Sequence, residues 1–206
     1  PGRSRWPALA RHPQAPARYD FSYDHIIDAV EGSLRRLETD YLDVLLLHRP
    51  DPLVEPEEVA RAFDALQQAG KVRYFGVSNH TAAQMRLLQE HLSQPIVANQ
   101  VELNIVHNQL FNDGVVFNRD DVGVMSRAEG TVEYCRRHDI TLQAWSPLAR
   151  GMLSGRDVED AEPRVKQAAE VVSEMAEEKG VSQETIVIAW LLRHPAQIQP
   201  IIGTTT

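Results

Sequence analysis

Apolar positions along this chain fall into two alternating periods. Ile26, Ile27, Val30, Leu34 and Leu37 recur at close to 3.6-residue spacing, the mark of an amphipathic helix. Ser22 stands as its N-cap, and Asp24 adds negative charge to the first turn. The period then collapses. Val44 to Leu47 are continuously apolar, so Tyr41–Leu47 reads as a strand with both faces covered, the habit of parallel strands in α/β proteins. A second helix runs from about Pro56 to Ala69, with Val59, Ala62, Phe63 and Leu66 on its apolar face. Pro56, Glu57 and Glu58 fill its first turn and Gly70 stops it. Val72–Val77 reads as the next strand, Thr81–His91 as a helix and Ile96–Glu102 as a strand. Residues 103–126 read as irregular and contain Asn-Asp-Gly. Thr131–His138 is expected to be a helix and Thr141–Ser146 a strand. Helices follow near Val165–Lys179 and Gln183–Arg193, the second capped by Ser182. Ile198–Ile202 is the last expected strand.

Five strands separated by helices imply right-handed βαβ units and a parallel sheet. In such folds the carboxyl ends of the strands are where ligands bind. Those ends carry polar residues here. The first strand stops at His48-Arg-Pro-Asp51, where Pro50 forbids its continuation. The others end in Ser78-Asn79, in Asn99-Gln100-Val-Glu102, in Trp145-Ser146-Pro-Leu148 and in Gly203-Thr204-Thr205.

Composition narrows the function. An apolar content of 43% suits a globular core. The formal charge of −8 argues against nucleic acid or an anionic membrane surface as partner. No apolar run reaches the roughly 18–20 residues of a membrane span. A single cysteine, Cys135, excludes an intramolecular disulfide and fits a reducing, cytoplasmic setting. The histidines outside His48 show no ligand spacing with cysteines or carboxylates, so no metal site is expected.

The strand-terminal motifs, taken in order, resemble the aldo-keto reductases. Gly70-Lys-Val-Arg-Tyr-Phe-Gly-Val-Ser-Asn79 and Arg193-His-Pro195 match that family as well, and the likeness spans about residues 24 to 206. The resemblance implies a (β/α)8 TIM barrel, of which this chain carries about five parallel strands, matching strands four to eight. It implies NADP(H) as cofactor and reduction of a small carbonyl substrate, an aldehyde or ketone. By the same likeness His48 is the active-site histidine that orients and polarises the carbonyl. Ser78, Asn79 and Gln100 would hold the nicotinamide carboxamide, and Trp145 would stack on the ring. Ser146, Leu148 and the Arg150-Gly151 turn would line the pyrophosphate. Gly203, Thr204 and Thr205 would open the loop that holds the adenosine 2′-phosphate.

The resemblance is incomplete. The family's tetrad is Asp, Tyr, Lys and His, with the first two in a D-x-x-x-x-Y element. No aspartate here has a tyrosine five positions later. None of the three lysines (Lys71, Lys166, Lys179) ends a strand. The expectation is a single barrel-like domain over 1–206, truncated at both ends. Residues 1–20 would be an irregular loop and 21–206 the barrel portion. Residues 1–18 hold four arginines, four prolines and no acid.

Each site residue also has a plainer reading. His48 on position alone reads equally as a histidine satisfying a loop carbonyl. Ser78-Asn79 can cap the next helix. Gln100 can satisfy a barrel neighbour, Trp145 can be core, and Gly203 onward can be a strand exit. Arg49 and Asp51 read as an ion pair or turn. The competing function is a non-catalytic member of the same fold that binds NADP(H) or a partner protein. No sequence feature specifies the substrate or the oligomeric state.

Overall fold

A computed structural model describes residues 19–115 and 130–203. The expected loop over residues 1–18 lies outside the described residues, as do Thr204 and Thr205. The strands are β1 (Leu42–Leu47), β2 (Val72–Ser78), β3 (Ile96–Glu102), β4 (Thr141–Trp145) and β5 (Gln199–Pro200), hydrogen-bonded in the order β1-β2-β3-β4-β5. The β1–β2 and β4–β5 pairs are parallel. Helices separate successive strands. The architecture is therefore a parallel five-stranded sheet with flanking helices, a partial barrel. The chain divides into two compact units, Pro1–Asn99 and Gln100–Thr206.

In the first unit, α1 (Tyr23–Leu37) and α2 (Pro56–Gln68) follow the apolar periods expected of them. Ser22 does occupy the N-cap of α1, but its hydroxyl makes no capping bond. Instead the Tyr23 N–H donates to Glu58 Oε2 at 3.2 Å, so a carboxylate of α2 satisfies that helix end. Phe63 of α2 stacks on Phe75 of β2 with ring centroids 4.0 Å apart, at the centre of a core that includes Val59, Leu66, Val72 and Val77. Helix α3 (Ala82–Gln89) is capped by Thr81, not by Ser78 or Asn79. The Gln84 N–H donates to the Thr81 hydroxyl and the Thr81 N–H to Gln84 Oε1, a reciprocal capping box.

The expectation that β1 is covered on both faces is wrong. Val44 is 43% exposed, and only Leu47 of the strand is buried. The cause lies in the sheet order: β1 is terminal and pairs on one side with β2 alone among the described strands. Gly76 of β2 lies where two neighbours crowd in. A Cβ there would meet Leu46 Cδ2 at 2.6 Å and the Ala98 carbonyl oxygen at 2.7 Å, so only glycine fits.

In the second unit, α5 (Thr131–Arg137) buries Cys135. Helices α6 (Pro163–Lys179) and α7 (Gln183–Leu192) form a hairpin, with Ser182 accepting from the Thr185 N–H at 3.3 Å as α7's cap. The segment read as irregular contains α4 (Gln109–Val115), and residues 116–129 lie outside the described ones. The last strand is shorter than expected. Only Gln199 and Pro200 pair with β4, followed by one bond from the Ile201 N–H to the Ala144 carbonyl at 2.8 Å. Pro200 removes no β4 bond, because alternate residues of a parallel strand serve a given neighbour.

Candidate functional site

The parallel register sets the first half of the site. Leu47 pairs with Val77, so His48, just past the end of β1, lies beside Ser78, the last residue of β2. The chain then turns. Asn79 has φ of +60°, the left-handed region that asparagine tolerates better than most side chains. Its amide nitrogen donates to the His48 carbonyl at 3.2 Å and to Ser78 Oγ at 2.8 Å. Three of the expected site residues are thereby tied together at the carboxyl ends of two adjacent strands. The amide plane is fixed, and Asn79 Oδ1 is an acceptor.

A residue that sequence reasoning passed over holds this turn. His80 is buried, at 4% exposure. Its Nδ1 lies 2.9 Å from the Ser78 carbonyl, which can only accept, so Nδ1 carries the proton. Asn99 of β3 clamps the His80 backbone from both sides, donating to its carbonyl at 2.8 Å and accepting its N–H at 3.4 Å. The Phe21 ring lies parallel to the imidazole at 6.1 Å. Burial lowers the His80 pKa from 6.5 to about 4, against the opposing effect of the Ser78 carbonyl. The ring is therefore neutral at pH 7. Asn99 was visible as a polar residue in an apolar strand. His80 carried no signal.

Tyr19 was also missed. Its ring meets the His48 imidazole edge-on, with centroids 5.9 Å apart. Asp51 is a turn residue, accepting from the Phe21 N–H at 3.1 Å and the Leu53 N–H at 2.9 Å.

The second unit carries the other expected residues. Gln100 donates to Gln143 Oε1 at 2.9 Å, and Gln143 donates to Gln199 Oε1 at 2.8 Å, an amide ladder across β3, β4 and β5. The plainer reading of Gln100 thus holds for its amide nitrogen. Trp145 lies two residues beyond Gln143 and so shares its face of β4. The Trp145 carbonyl accepts from the Leu103 N–H at 3.4 Å, and the Ser146 carbonyl accepts from Asn104 Nδ2 at 3.0 Å.

The loop after β4 is conformationally unusual. Ser146, Ala149 and Arg150 have φ of +54°, +49° and +58°, and Gly151 follows at +90°. Each left-handed non-glycine residue costs on the order of 1–2 kcal/mol. Packing supplies the compensation: Ala149 and Leu153 are buried with Val172 and Val187, and Leu148 packs on that cluster. The strained turn presents Arg150, whose carbonyl accepts from Arg156 Nη1 at 3.3 Å. Two guanidinium groups at one turn suit a polyanionic diphosphate. Gly203 is exposed, and nothing lies within 4 Å of where its Cβ would be. Within their own units, then, His48, Ser78 and Asn79 are joined by hydrogen bonds, while Trp145, Ser146 and Leu148 follow one another along the chain at the end of β4. Gln100 is joined to Gln143, and Gly203 stands apart.

A sequence profile of the Aldo/keto reductase family matches residues 9–206. The chain belongs to the aldo/keto reductase family. It is 41% identical to the oxidoreductase YdhF of Escherichia coli over 195 residues, covering 95% of this chain and 58% of that protein. It is 37% identical to a 6-dehydroglucose reductase of Agrobacterium fabrum, covering 94% of this chain and 58% of that one. Among solved structures, a thermostable aldo-keto reductase in complex with the inhibitor epalrestat matches at a TM-score of 0.66 and 29% identity, over 90% of this chain and 58% of that one. The chain thus spans about three fifths of the length of these relatives.

Proposed function

We propose that this chain forms the histidine-bearing, cofactor-holding side of an NADP(H)-dependent carbonyl reductase. The observation that carries the reading is the hydrogen-bonded group His48, Ser78 and Asn79 at the carboxyl ends of adjacent parallel strands. NADPH would supply the hydride. Asn79 Oδ1 and Ser78 Oγ would receive the carboxamide and fix which ring face meets the substrate. The Trp145 indole would cover the other face, giving large contact at small entropic cost. Arg150 and Arg156 would hold the diphosphate. Gly203, Thr204 and Thr205 would approach the 2′-phosphate. His48 would hydrogen-bond the carbonyl oxygen of an aldehyde or ketone, where negative charge develops.

Proton donation needs more than His48. Lys71 precedes β2 and pairs with Glu31, while Lys166 and Lys179 lie on α6. No D-x-x-x-x-Y element occurs. The tyrosine and lysine that complete acid catalysis in the family would have to come from residues outside this span. The same fact favours the second reading, a non-catalytic binder of NADP(H), for these 206 residues acting alone. The buried single cysteine suits a reducing, cytoplasmic setting. The test pairs calorimetric titration with NADPH and NADH against turnover of NADPH with an aromatic aldehyde at 340 nm. The expected result is NADPH binding in preference to NADH, without turnover. Turnover by this chain alone refutes the division of labour.

A further inference from the structure

Helices α6 and α7, with Ile105 from the loop after β3, enclose an apolar groove of about 770 Å³. That falls within the range of roughly 300–1,000 Å³ typical of small-ligand sites. Its floor is Ala168, Val171, Val172, Met175, Ile186 and Trp190. Val171 and Met175 are 47% and 38% exposed, large for apolar side chains of one helix face. The rim is cationic: Arg164, Lys179 and Arg193 line the groove, and no acidic residue does among the described residues. That composition is unexpected in a chain of net charge −8. Arg164 sits in the first turn of α6 and Arg193 directly follows α7. The three-residue connection makes the two helices antiparallel, so both guanidinium groups fall toward one end of the groove. Lys179 lies at the other end, roughly 22 Å along α6 at 1.5 Å per residue.

From this arrangement we infer that the α6–α7 groove binds an amphipathic anion, a long-chain aliphatic carboxylate. Its head engages Arg164 and Arg193 and its tail lies over Trp190, Val171 and Met175 toward Lys179. Arg164 now pairs with Glu162 at 2.9 Å and Lys179 with Glu178 at 3.6 Å. Both pairs are solvent-exposed, and such pairs contribute little, so exchange for a ligand carboxylate is easy. A fork-shaped guanidinium pair selects a planar carboxylate over a point charge.

Trp190 provides the readout. The 206-residue chain with Trp6→Phe and Trp145→Phe is titrated with dodecanoate below its micellar concentration, and with dodecanol and dodecylammonium. The expected result is a saturable change in Trp190 emission with dodecanoate, weaker with dodecanol and weakest with dodecylammonium. Replacing Arg164 and Arg193 by Ala weakens dodecanoate about tenfold or more and leaves dodecanol unchanged. Ala189→Phe, at an exposed groove position, blocks both ligands without disturbing the core. No saturable response to dodecanoate overturns the inference. So does equal binding of dodecylammonium, or a double-arginine variant that binds dodecanoate normally. An acidic amphipathic peptide that shifts Trp190 emission and is not displaced by dodecanoate also overturns it, in favour of a protein partner. The NADP(H) reading does not rest on Arg164, Arg193 or Trp190, so failure of this inference leaves it standing.

Discussion

Acidification should loosen the turn that carries Ser78 and Asn79, because His80 must be neutral there. The folded protein holds the His80 pKa at about 4, roughly 2.5 pH units below its ordinary value of 6.5. At about 1.4 kcal/mol per pH unit this corresponds to about 3 kcal/mol. The sign follows from the depressed folded value. The unfolded chain takes up the proton first, so the contribution is complete above pH 6.5. It declines as pH falls from 6.5 and is gone near pH 4. His80 is 4% exposed, so solvent screening takes little from this figure. Asp51 lines the same small cavity as His80 and is held by the Phe21 and Leu53 N–H groups. Urea unfolding of the wild type and of His80→Gln between pH 7.5 and 4 measures the effect. The wild type should lose about 3 kcal/mol more than the variant across that window. His194, whose pKa is lowered chiefly by burial and also by Arg136, contributes equally to both proteins and cancels. Parallel pH profiles, or a His80 ring titrating near pH 6.5 by NMR, would refute the reasoning.

Gly76→Ala should destabilise the protein by about 1–3 kcal/mol in urea unfolding, since the added methyl meets Leu46 and the Ala98 backbone. Asn79→Gly keeps the left-handed turn and should leave the unfolding free energy within about 1 kcal/mol of wild type, yet weaken NADPH binding measured by calorimetry. Thr81→Ala removes the α3 capping box and should cost about 1 kcal/mol in the same unfolding assay. Gln143→Leu strips the amide partners from Gln100 and Gln199 and should cost about 1–2 kcal/mol, because Gln199 is exposed and rehydrates.

Much of the fold was legible because local signals agreed. The periods of α1 and α2, Pro56 at a helix start, Ser182 as a cap and the apolar runs of β1 to β4 each carry their own evidence in sequence. What failed depended on neighbours. The exposure of Val44 cannot be seen from an apolar run, since the run does not say whether another strand lies alongside. Helix α4 was hidden by Asn112-Asp-Gly114, whose turn signal outweighed Leu110 and Phe111. The cap of α3 was misplaced because Ser78, Asn79 and Thr81 are all capping residues. Gln84, three positions after Thr81, was the deciding clue. Within the site, strand endings located His48, Ser78, Asn79 and Trp145 correctly at carboxyl ends. The supporting residues His80, Tyr19 and Gln143 were not legible, because their roles arise from contacts between distant segments; Asn99 stood out as a polar residue in an apolar strand, but its clamp on His80 did not.

The central claim is that strand-terminal residues of this chain cradle a nicotinamide, and Trp145 can report it directly. In a chain with Trp6→Phe and Trp190→Phe, NADPH should quench Trp145 emission saturably, and Asn79→Gly should shift that curve to higher concentration. An emission that falls only linearly with NADPH, or a curve that Asn79→Gly leaves in place, would contradict the account.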